Sequence, residues 1–226
     1  MSNDPLIKKL RNHKDPDVRE LVSRLEKTEA QMHKIMSISD VYQAQLHDST
    51  AQLERMARTD MLTGLANRRD MTDRLMAESA RCHRSGNDYA VILYDIDDFK
   101  RINDTWGHKV GDHVLVKVAE AVRSVLRVSD VCARWGGEEF LVLCPDTDLS
   151  RAIVVAEKCR HAVEETEIVS GGNRITVTVS GGVCTSRTGN GCHDWEHLVL
   201  QADTAMYSAK VRKKNKVVAY ESIAGG

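Results

Sequence analysis

The chain has 226 residues, enough for one ordinary domain and an extension, and its formal net charge of −1 gives no global field favouring nucleic acid or an anionic membrane. Aromatic residues make up only 4%, which disfavours a base-stacking nucleic-acid platform, and the longest central apolar run, residues 89–94, is too short to span a bilayer. The N-terminus lacks the apolar core of a signal peptide, and the six cysteines form no CxxC pair. We therefore expect a cytoplasmic protein with reduced cysteines, no membrane insertion and no nucleic-acid partner.

Residues 1–58 are predicted to form a helical stalk. The stretch 17–63 contains neither glycine nor proline, and Asp15 and Pro16 have the residue types of an N-cap and a first helical position. At about 1.5 Å per residue such a helix would overshoot a domain built from the rest of the chain, although one amphipathic helix packed on its own domain is the alternative. We predict a coiled coil that pairs with a second copy. Its seam follows a 3-4 spacing: Val18, Leu21, Leu25, Thr28, Met32, Ile35, Ser39, Tyr42, Leu46, Ser49, Leu53 and Met56.

Residues 59–226 have the alternating pattern of an α+β domain that begins with a turn containing Gly64 and Asn67. The central order of strand, helix, hairpin, helix and strand is the split βαβ arrangement of ferredoxin-like domains. We therefore predict a central, mostly antiparallel sheet flanked by helices. Helices are predicted over 68–84, 98–104, 112–127, 149–165 and 195–212, a hairpin over 131–144, and further strands over 89–95, 175–179 and 217–220.

The most informative stretch is residues 134–140, in which two glycines and two carboxylates lie between two β-prone runs. This pattern predicts the tight turn of a β-hairpin, where glycines supply positive φ and let the backbone approach a ligand closely. The adjacent carboxylates of Glu138 and Glu139 repel each other and need a cation or a proton nearby. The turn therefore indicates a site for a metal and for phosphates.

A second acidic group strengthens this interpretation. The strand predicted over 89–95 ends at Asp95 and runs directly into Ile96, Asp97 and Asp98. Carboxylates at the end of a strand, facing the Glu138 turn across a sheet, are the oxygen ligands that hold Mg²⁺ beside phosphates. An isolated Asp-x-Asp would be weak evidence because acidic loops are usually just solvated, but its combination with the turn predicts a metal and phosphate site.

Four sequence motifs lie between residues 60 and 140. They are Asp60-x-Leu62-Thr63-Gly64-Leu65-x-Asn67-Arg68-Arg69, Asp95-Ile96-Asp97-x-Phe99-Lys100-x-x-Asn103-Asp104, Gly107-His108-x-x-Gly111-Asp112 and Gly136-Gly137-Glu138-Glu139-Phe140. In residue types, order and spacing they resemble the GGDEF family of diguanylate cyclases, and the resemblance covers about residues 59–221. It implies a nucleotide-cyclase-type fold and the condensation of two GTP into cyclic di-GMP and two pyrophosphates. The short stalk-plus-cyclase layout is similar to stand-alone cyclases of the SiaD type.

The resemblance also implies a metal site and a catalytic carboxylate. Asp95, the backbone carbonyl of Ile96 and Glu138 match the family's ligands for Mg²⁺ or Mn²⁺. Glu138 or Glu139 would help to deprotonate the ribose 3′-hydroxyl, since a metal ion neutralises the triphosphate and acidifies the attacking group. For Glu139, catalysis and simple support of the turn are both left open.

Asn103 and Asp112 match the residues that read guanine in the family. A carboxylate can accept hydrogen bonds from the imide N–H and the exocyclic amine of guanine, a donor pair that adenine lacks, so ATP should be rejected. The alternative for Asp112 is that it only N-caps a helix beginning at about residue 113.

Lys100, Lys210 and Lys214 would contact phosphate oxygens by the same resemblance. The sequence departs from the family here, because Lys213-Lys214-Asn215 stands where Gly-Arg-Asn is usual. A lysine lacks the bidentate fork of arginine, so the affinity for the triphosphate is expected to be weaker. The alternative is that these lysines complement a helix dipole or form a solvated face.

Arg127 and Asp130 occupy the position of the family's inhibitory product site, an Arg-x-x-Asp that ends six positions before Gly136. Arginine can form a fork onto guanine, and aspartate can accept from its Watson–Crick edge. The pattern is common by chance, and an arginine near a helix C-terminus is also explained by the dipole. Its position in the chain favours the inhibitory site.

Because the product is two-fold symmetric and each domain binds one GTP, catalysis is expected to need two domains face to face. A dimeric stalk would raise the local concentration of one domain near the other, and a regulatory protein that binds the stalk could control this. Two other classes remain open: a module that senses GTP or cyclic di-GMP without turnover, and a scaffold that acts through the stalk alone.

Overall fold

The computed structural model of the protein describes residues 5–170, 172–188, 191–192 and 194–221. Its contacts divide the chain into two compact units, Met1–Arg55 and Met56–Gly226. The helices are α1 (Pro5–Leu10), α2 (Pro16–Arg58), α3 (Arg68–Ser85), α4 (Phe99–Trp106), α5 (His108–Val125), α6 (Leu149–Glu164) and α7 (Trp195–Val211). The strands are β1 (Ala66–Asn67), β2 (Tyr89–Ile96), β3 (Val131–Arg134), β4 (Glu139–Pro145), β5 (Ile168–Ser170), β6 (Asn173–Ile175), β7 (Val179–Thr185), β8 (Arg187–Thr188), β9 (Gly191–Cys192) and β10 (Val217–Ala219).

The first unit is dominated by the long helix α2, which begins at Pro16 as predicted. Asp15 Oδ1 accepts a hydrogen bond from the Asp17 N–H at 3.0 Å, so one of the free N–H groups at the helix start is satisfied. The segment before α2 is held to it by Arg11, whose Nε donates to Glu26 Oε1 at 3.1 Å. The predicted helical stalk is therefore present as a helix.

Most described side chains of the predicted seam of α2 are exposed to solvent, although Val18 at its start is half-buried. Leu21 and Ile35 are each 66% exposed, and Leu25, Met32 and Tyr42 are also exposed. A row of large apolar side chains on one helix is costly in water unless another surface covers it. The side chains of the remaining seam positions Leu46, Ser49, Leu53 and Met56 lie outside the described residues.

The larger unit is built on a mixed sheet with the strand order β1-β3-β4-β2-β7-β10. The central strand β2 is antiparallel to both β4 and β7, and β3 is antiparallel to β4. The short strands β1 and β10 run parallel to β3 and β7. The inner order β3-β4-β2-β7, with helices connecting the strands, is the split βαβ arrangement. The predicted α+β fold with a mostly antiparallel sheet is confirmed.

Two hydrophobic cores cover the two faces of this sheet. Tyr94 and Phe140 belong to the core that includes α5 and α6, whereas Leu93 and Leu141 belong to the core that includes α3 and α7. Successive side chains of a strand point to opposite faces, so each central strand serves both cores. This double burial explains why β2 is a continuous apolar run in the sequence rather than an alternating one.

The prediction of a strand over residues 175–179 is wrong. The strand that joins the central sheet is β7, which begins at Val179 and runs through two glycines, while residues 173–175 pair with β5. A Cβ atom at Gly182 would lie 2.0 Å from the Ala202 carbonyl oxygen of α7, and one at Gly181 would lie 2.7 Å from the Tyr94 ring. The glycines let α7 and Tyr94 lie directly on β7, a tertiary reason that outweighs β-propensity.

Cys132, Cys144, Cys159 and Cys184 are buried and free, as expected of core thiols. Cys82 is disulfide-bonded, so the expectation of reduced cysteines is wrong for this residue. Sequence spacing gave no signal of it, because the fold and not the spacing brings distant cysteines together. In the part of the chain that the structure describes, no helix combines the length and the apolarity needed to cross a bilayer.

Candidate active site

Four of the predicted site residues meet at the end of the central strand. Asp95, only 7% exposed, lies opposite Glu139 of β4 and opposite Ser180 of β7. Residues paired across antiparallel strands point to the same face, so the carboxylates of Asp95 and Glu139 share one side of the sheet. The Ile96 N–H donates to the Glu138 carbonyl oxygen at 3.3 Å, which brings the backbone of Ile96 against the turn.

The carboxylates of this cluster disfavour one another's ionised forms. Burial raises the pKa of Asp95, Glu138 and Glu139, and the Asp95 charge raises the pKa of both glutamates further. The Lys210 ammonium lies 2.6 Å from Asp95 Oδ1 and opposes this shift. Burial is the largest cause of each shift, and the neighbouring carboxylates add to it.

The donor set fits a hard divalent cation. Asp95 Oδ1 is buried and lies 2.6 Å from the Lys210 ammonium, a single partner that leaves this oxygen a further lone pair for a cation. Carboxylate and carbonyl oxygens are the ligands that Mg²⁺ and Mn²⁺ take. Among the described residues, no three His, Cys, Asp or Glu side chains form a metal-binding group. The residues present therefore fit a cation held by two carboxylates, one carbonyl and a phosphate ligand, rather than a cage made only of protein.

The turn between β3 and β4 is held by Arg134, whose role sequence reasoning missed. Its Nε and Nη2 donate to the Gly137 carbonyl oxygen at 3.1 and 2.7 Å, and its Nη1 contacts Asp60 Oδ2 at 3.3 Å. Asp60 in turn accepts from the Thr63 N–H at 2.9 Å. The signal was present in the sequence, because Asp60 and Arg134 both belong to segments singled out there.

The glycines of this turn do not have the positive φ that was predicted for them. Gly136 is needed for space instead, since a Cβ atom there would lie 2.3 Å from Glu139 Oε2. Residue 136 therefore makes room for the carboxylate of Glu139, while the Glu139 carbonyl accepts the Trp135 N–H at 2.8 Å. Glu139 supports the turn through its backbone and faces the cluster through its side chain, so both roles that were left open for it are compatible with the geometry.

The predicted guanine-binding residues lie on neighbouring helices. Asn103 is on α4, and a Cβ atom at Gly111 of α5 would lie 1.9 Å from Asn103 Oδ1. This glycine lets the Asn103 side chain lie against the residue that precedes Asp112. The alternative N-cap role of Asp112 is wrong, because α5 begins at His108 and its N-cap is Gly107, whose φ of 83° explains the early start. Asp112 is exposed and Asn103 is half-buried.

The three predicted phosphate-binding lysines differ in their partners. Lys100 is exposed on the first turn of α4. Lys210 lies against Asp95, and Lys214 Nζ donates to Asp98 Oδ1 at 2.6 Å. The Lys214 contact lowers the pKa of Asp98. Both ammonium groups therefore lie beside the acidic end of β2, and both are already engaged by carboxylates.

Asp97, the second carboxylate of the Asp-x-Asp pattern, is a structural anchor. It is buried and accepts hydrogen bonds from Thr178 Oγ1 and Ser180 Oγ, each at 2.7 Å, and from the Asn215 N–H at 3.0 Å. Its oxygens are thus used to join the end of β2 to the start of β7 and to the turn after α7. Among the described contacts Asp97 accepts three hydrogen bonds whereas Asp95 contacts Lys210, so Asp95 is the better placed of the two to offer an oxygen to a cation.

The predicted inhibitory residues form a small turn beside a cavity of about 270 Å³. The Arg127 N–H donates to Asp130 Oδ2 at 3.0 Å, and the Asp130 N–H donates to the Arg127 carbonyl at 3.1 Å. Asp130 therefore has a structural task in addition to any binding role. The cavity is lined by Val125, Arg127, Asp130, Ser150, Arg151, Val154, Val155 and Lys158.

A family model described as "Diguanylate cyclase, GGDEF domain" matches residues 57–216. The chain is 38% identical over 159 residues to the diguanylate cyclase DosC of Escherichia coli, covering 70% of this chain and 34% of DosC. It is 42% identical over 165 residues to the response regulator PleD of Caulobacter vibrioides, covering 72% and 36%. The chain thus spans about a third of the length of these curated relatives.

Two solved structures extend the similarity beyond the catalytic-type domain. One is the diguanylate cyclase SiaD in complex with its activator SiaC from Pseudomonas aeruginosa, with a TM-score of 0.70, 40% identity and coverage of 88% of this chain and 76% of that one. The other is the coiled coil and GGDEF domain of DgcB from Caulobacter crescentus in complex with c-di-GMP, with a TM-score of 0.72, 30% identity and coverage of 88% and 98%. The predicted resemblance is confirmed, and the chain belongs to the GGDEF-domain family of diguanylate cyclases.

Proposed function

We propose that this protein is a cytoplasmic diguanylate cyclase, which condenses two GTP into cyclic di-GMP and two pyrophosphates with Mg²⁺ or Mn²⁺. The observation that carries the proposal is that Asp95 and Glu139 lie opposite each other on adjacent strands, with Glu138 beside them in the turn and the Lys210 ammonium 2.6 Å from Asp95. Burial raises the pKa of all three carboxyl groups. Such a cluster on a GGDEF-family domain suits a cation that arrives together with a triphosphate. The family relationship makes GTP the substrate to test first.

In the reaction, the ribose 3′-oxygen of one GTP bonds to the α-phosphorus of the other, and the bond from that phosphorus to pyrophosphate breaks. A divalent cation held by Asp95, the Ile96 carbonyl and Glu138 would neutralise phosphate charge and acidify the hydroxyl. The carboxylate of Glu138 or Glu139 accepts the hydroxyl proton, and a raised pKa makes either one a better base near neutral pH. The backbone clamp of Arg134 on Gly137 keeps both glutamates in place.

The substrate is oriented by side chains on α4, α5 and α7 and on the turn that follows α7. Asn103 and Asp112 accept from the guanine edge, and Lys100, Lys210 and Lys214 contact the triphosphate. Because Lys210 and Lys214 already contact Asp95 and Asp98, they exchange a carboxylate for phosphate oxygens when GTP binds. Fixing the α-phosphorus in line with an incoming hydroxyl supplies most of what such a reaction needs from a protein.

The protein acts as a homodimer formed through the stalk, residues 1–58, with the catalytic domain over 59–226. The exposed seam of α2 supports this pairing. Each domain contributes one bound GTP, and the stalk raises the concentration of each domain near its partner. A regulatory protein that binds the stalk is a further expectation, favoured by the similarity to SiaD, whose structure contains an activator.

Cyclic di-GMP inhibits the enzyme by binding at Arg127 and Asp130. The cavity beside these residues and the nearby cations Arg151 and Lys158 support the proposal, since cations and a carboxylate together match the phosphates and the donor edge of guanine. Nothing in this arrangement requires the catalytic cluster to move.

The test is turnover by the purified full chain with GTP and Mg²⁺, followed by chromatography of the nucleotides. We expect cyclic di-GMP and two equivalents of pyrophosphate from the wild type and neither from Glu138→Gln. A wild type that binds GTP without forming product would instead identify a nucleotide sensor. A Glu138→Gln variant with an unchanged effect in cells would point to a scaffold that acts through the stalk.

A further inference from the structure

The turn that follows α7 has an unusual backbone. Lys213, Lys214 and Asn215 have φ values of 87°, 56° and 47°, three consecutive non-glycine residues in the left-handed region. L-residues visit this region as single positions, and a run of three is disfavoured by contacts of the Cβ atoms with the backbone. Such a run persists only where the surroundings over-determine it. The turn therefore needs an identifiable clamp.

Asn215 is the point at which the turn is held. Its N–H donates to Asp97 Oδ2 at 3.0 Å, its Nδ2 donates to Glu164 Oε1 at 2.8 Å, and its Oδ1 accepts from Arg160 Nη1 at 2.7 Å. The backbone N–H and both polar atoms of the side chain are thus in use. Two of the three partners, Arg160 and Glu164, belong to the last turns of α6 and are therefore distant from Asn215 in the sequence.

Arg160 is the central group of this clamp. Its side chain is only 9% exposed, and its guanidinium also contacts Glu157 and Glu164, each at 2.8 Å. The planar fork of arginine can serve several acceptors at fixed angles, which an ammonium cannot do. Burying a cation is costly unless its partners are fixed, so this arrangement is stable in one geometry only.

We propose that Arg160 is a positioning residue, which holds the Lys213–Asn215 turn in its left-handed form and thereby directs Lys214 toward the triphosphate. The inference rests on the proposed function in one respect, the contact of Lys214 with phosphate. Arg160 itself touches neither substrate nor the carboxylate cluster in this account. It acts through Asn215, which is adjacent to Lys214 in the chain.

The experiment uses the full chain and two readouts. Hydrogen exchange of the backbone over residues 212–217 reports the turn without any nucleotide, and calorimetric titration with a non-hydrolysable GTP analogue and Mg²⁺ reports affinity. We expect Arg160→Gln to lose protection over 212–217 and to bind the analogue about tenfold more weakly, about the effect of one charge-assisted contact. Arg81→Gln is the matched control, since Arg81 forms an ion pair with Glu78 on α3 and should change neither readout.

A second substitution, Lys213→Gly, distinguishes a positioning role of Arg160 from a general effect on stability. Lys213→Gly removes one left-handed side chain, so the double variant with Arg160→Gln should regain protection and bind the analogue within about threefold of the wild type. If Arg160 has only a structural role, Arg160→Gln will lower the melting temperature without opening the turn, and Lys213→Gly will raise it equally in both backgrounds. Either result overturns the proposal.

One further variant distinguishes failure of the clamp from failure of the proposed function. Lys214→Ala should weaken binding of the analogue about as much as Arg160→Gln does. If Lys214→Ala binds normally, the phosphate contact and the role of the clamp in substrate binding are both wrong, and any loss of protection in Arg160→Gln then describes the fold alone. Where Arg160→Gln does not fold, Arg160→Lys keeps the charge but not the fork, and normal exchange in that variant contradicts the proposal.

Discussion

Two turns, residues 136–138 and 213–215, lie near the end of β2 that carries Asp95. Each contains a different destabilising feature. The turn over residues 136–138 has no residue with positive φ, but its Glu138 and the adjoining Glu139 and Asp95 repel one another, and burial raises the pKa of all three. The turn over 213–215 has a left-handed backbone, but Asn215 is held by three hydrogen bonds, to Asp97, Glu164 and Arg160. A bound cation can relieve the repulsion between the carboxylates. The left-handed backbone, in contrast, is kept in place by hydrogen bonds within the protein. This difference is what we expect if the first turn takes part in the proposed cation site and the second presents the Lys214 side chain.

The largest effect is expected from removing the charge of the acidic turn. Glu138→Gln should lower cyclase activity by about 10²–10⁴-fold, as is usual for loss of an acid–base or metal-binding group. The same variant should melt at a higher temperature than the wild type without cation at pH 7, because one repelling charge is gone. Activity and differential scanning calorimetry check the two outcomes, with Glu167→Gln, an exposed glutamate on another segment, as the control. A variant that is inactive and also less stable would contradict the electrostatic account.

The proposed product site at Arg127 and Asp130 shares no residue with either turn and should respond separately. Arg127→Ala should raise the inhibition constant of cyclic di-GMP about 10–100-fold, the usual range for one arginine fork on a guanine, while leaving initial rates unchanged. Rates measured against added product provide the check. Arg123→Ala removes an exposed arginine in the last turn of α5 and should leave inhibition intact. An unchanged inhibition curve for Arg127→Ala would exclude this site.

Because the pKa of Glu138 is raised in the folded protein, its contribution to stability should decrease as pH rises. A carboxyl whose pKa is higher in the folded state than in the unfolded state contributes stability below its ordinary value of about 4, and this contribution is lost as pH rises through the raised value. The melting temperature of cation-free wild type should therefore fall behind that of Glu138→Gln as pH rises above about 4. A difference in melting temperature that is constant over the acid range would mean that Glu138 is not perturbed.

The pair between Lys214 and Asp98 should compete with substrate. Asp98→Asn keeps a residue that tolerates the φ of 54° at this position and removes the carboxylate that Lys214 contacts. We expect the Michaelis constant for GTP to fall about two- to fivefold, in line with the modest strength of a partly exposed ion pair. Asp73→Asn, at an exposed position of α3, should have no effect. A higher Michaelis constant for Asp98→Asn would show that the pair prepares Lys214 for binding.

The smallest effect concerns the strained backbone itself. Lys213→Gly should stabilise the fold by about 1 kcal/mol, since a left-handed conformation costs a non-glycine residue about that much. For a domain of this size the melting temperature should rise by about 2–4 °C. The increase in stability should add to that of Glu138→Gln, because one substitution removes backbone strain and the other removes repulsion between carboxylates. A loss of stability would mean that the Lys213 side chain makes a compensating contact.

Local sequence signals predicted most of the fold and the acidic half of the site. The helix predicted over 68–84 is observed as Arg68–Ser85, and the strand over 89–95 as Tyr89–Ile96, because apolar periodicity and breakers mark these elements. The prediction of a strand over 175–179 is wrong because the observed strand contains Gly181 and Gly182. Close contacts with Tyr94 and with α7 require these glycines, although glycine has a low β-propensity.

No local sequence pattern predicted that Arg160 holds the Lys213–Asn215 turn. Arg160 and Asn215 are 55 positions apart, so only the folded chain brings them together. The start of α5 was misjudged for a related reason, since Gly107 begins the helix with positive φ and without a side-chain cap. The acidic residues at the end of β2 and in the 136–138 turn belong to sequence motifs, whereas contacts between distant residues such as Arg160 and Asn215 required the structure.

The most direct test of the account is the melting temperature of the full chain with Mg²⁺ and a non-hydrolysable GTP analogue at pH 7.5. If the cluster of Asp95, Glu138 and Glu139 binds a cation together with the triphosphate, the wild type should be stabilised strongly by the two added together. Glu138→Gln, although more stable at the outset, should gain little. An equal gain in both proteins would contradict the central claim that this acidic turn is the cation site.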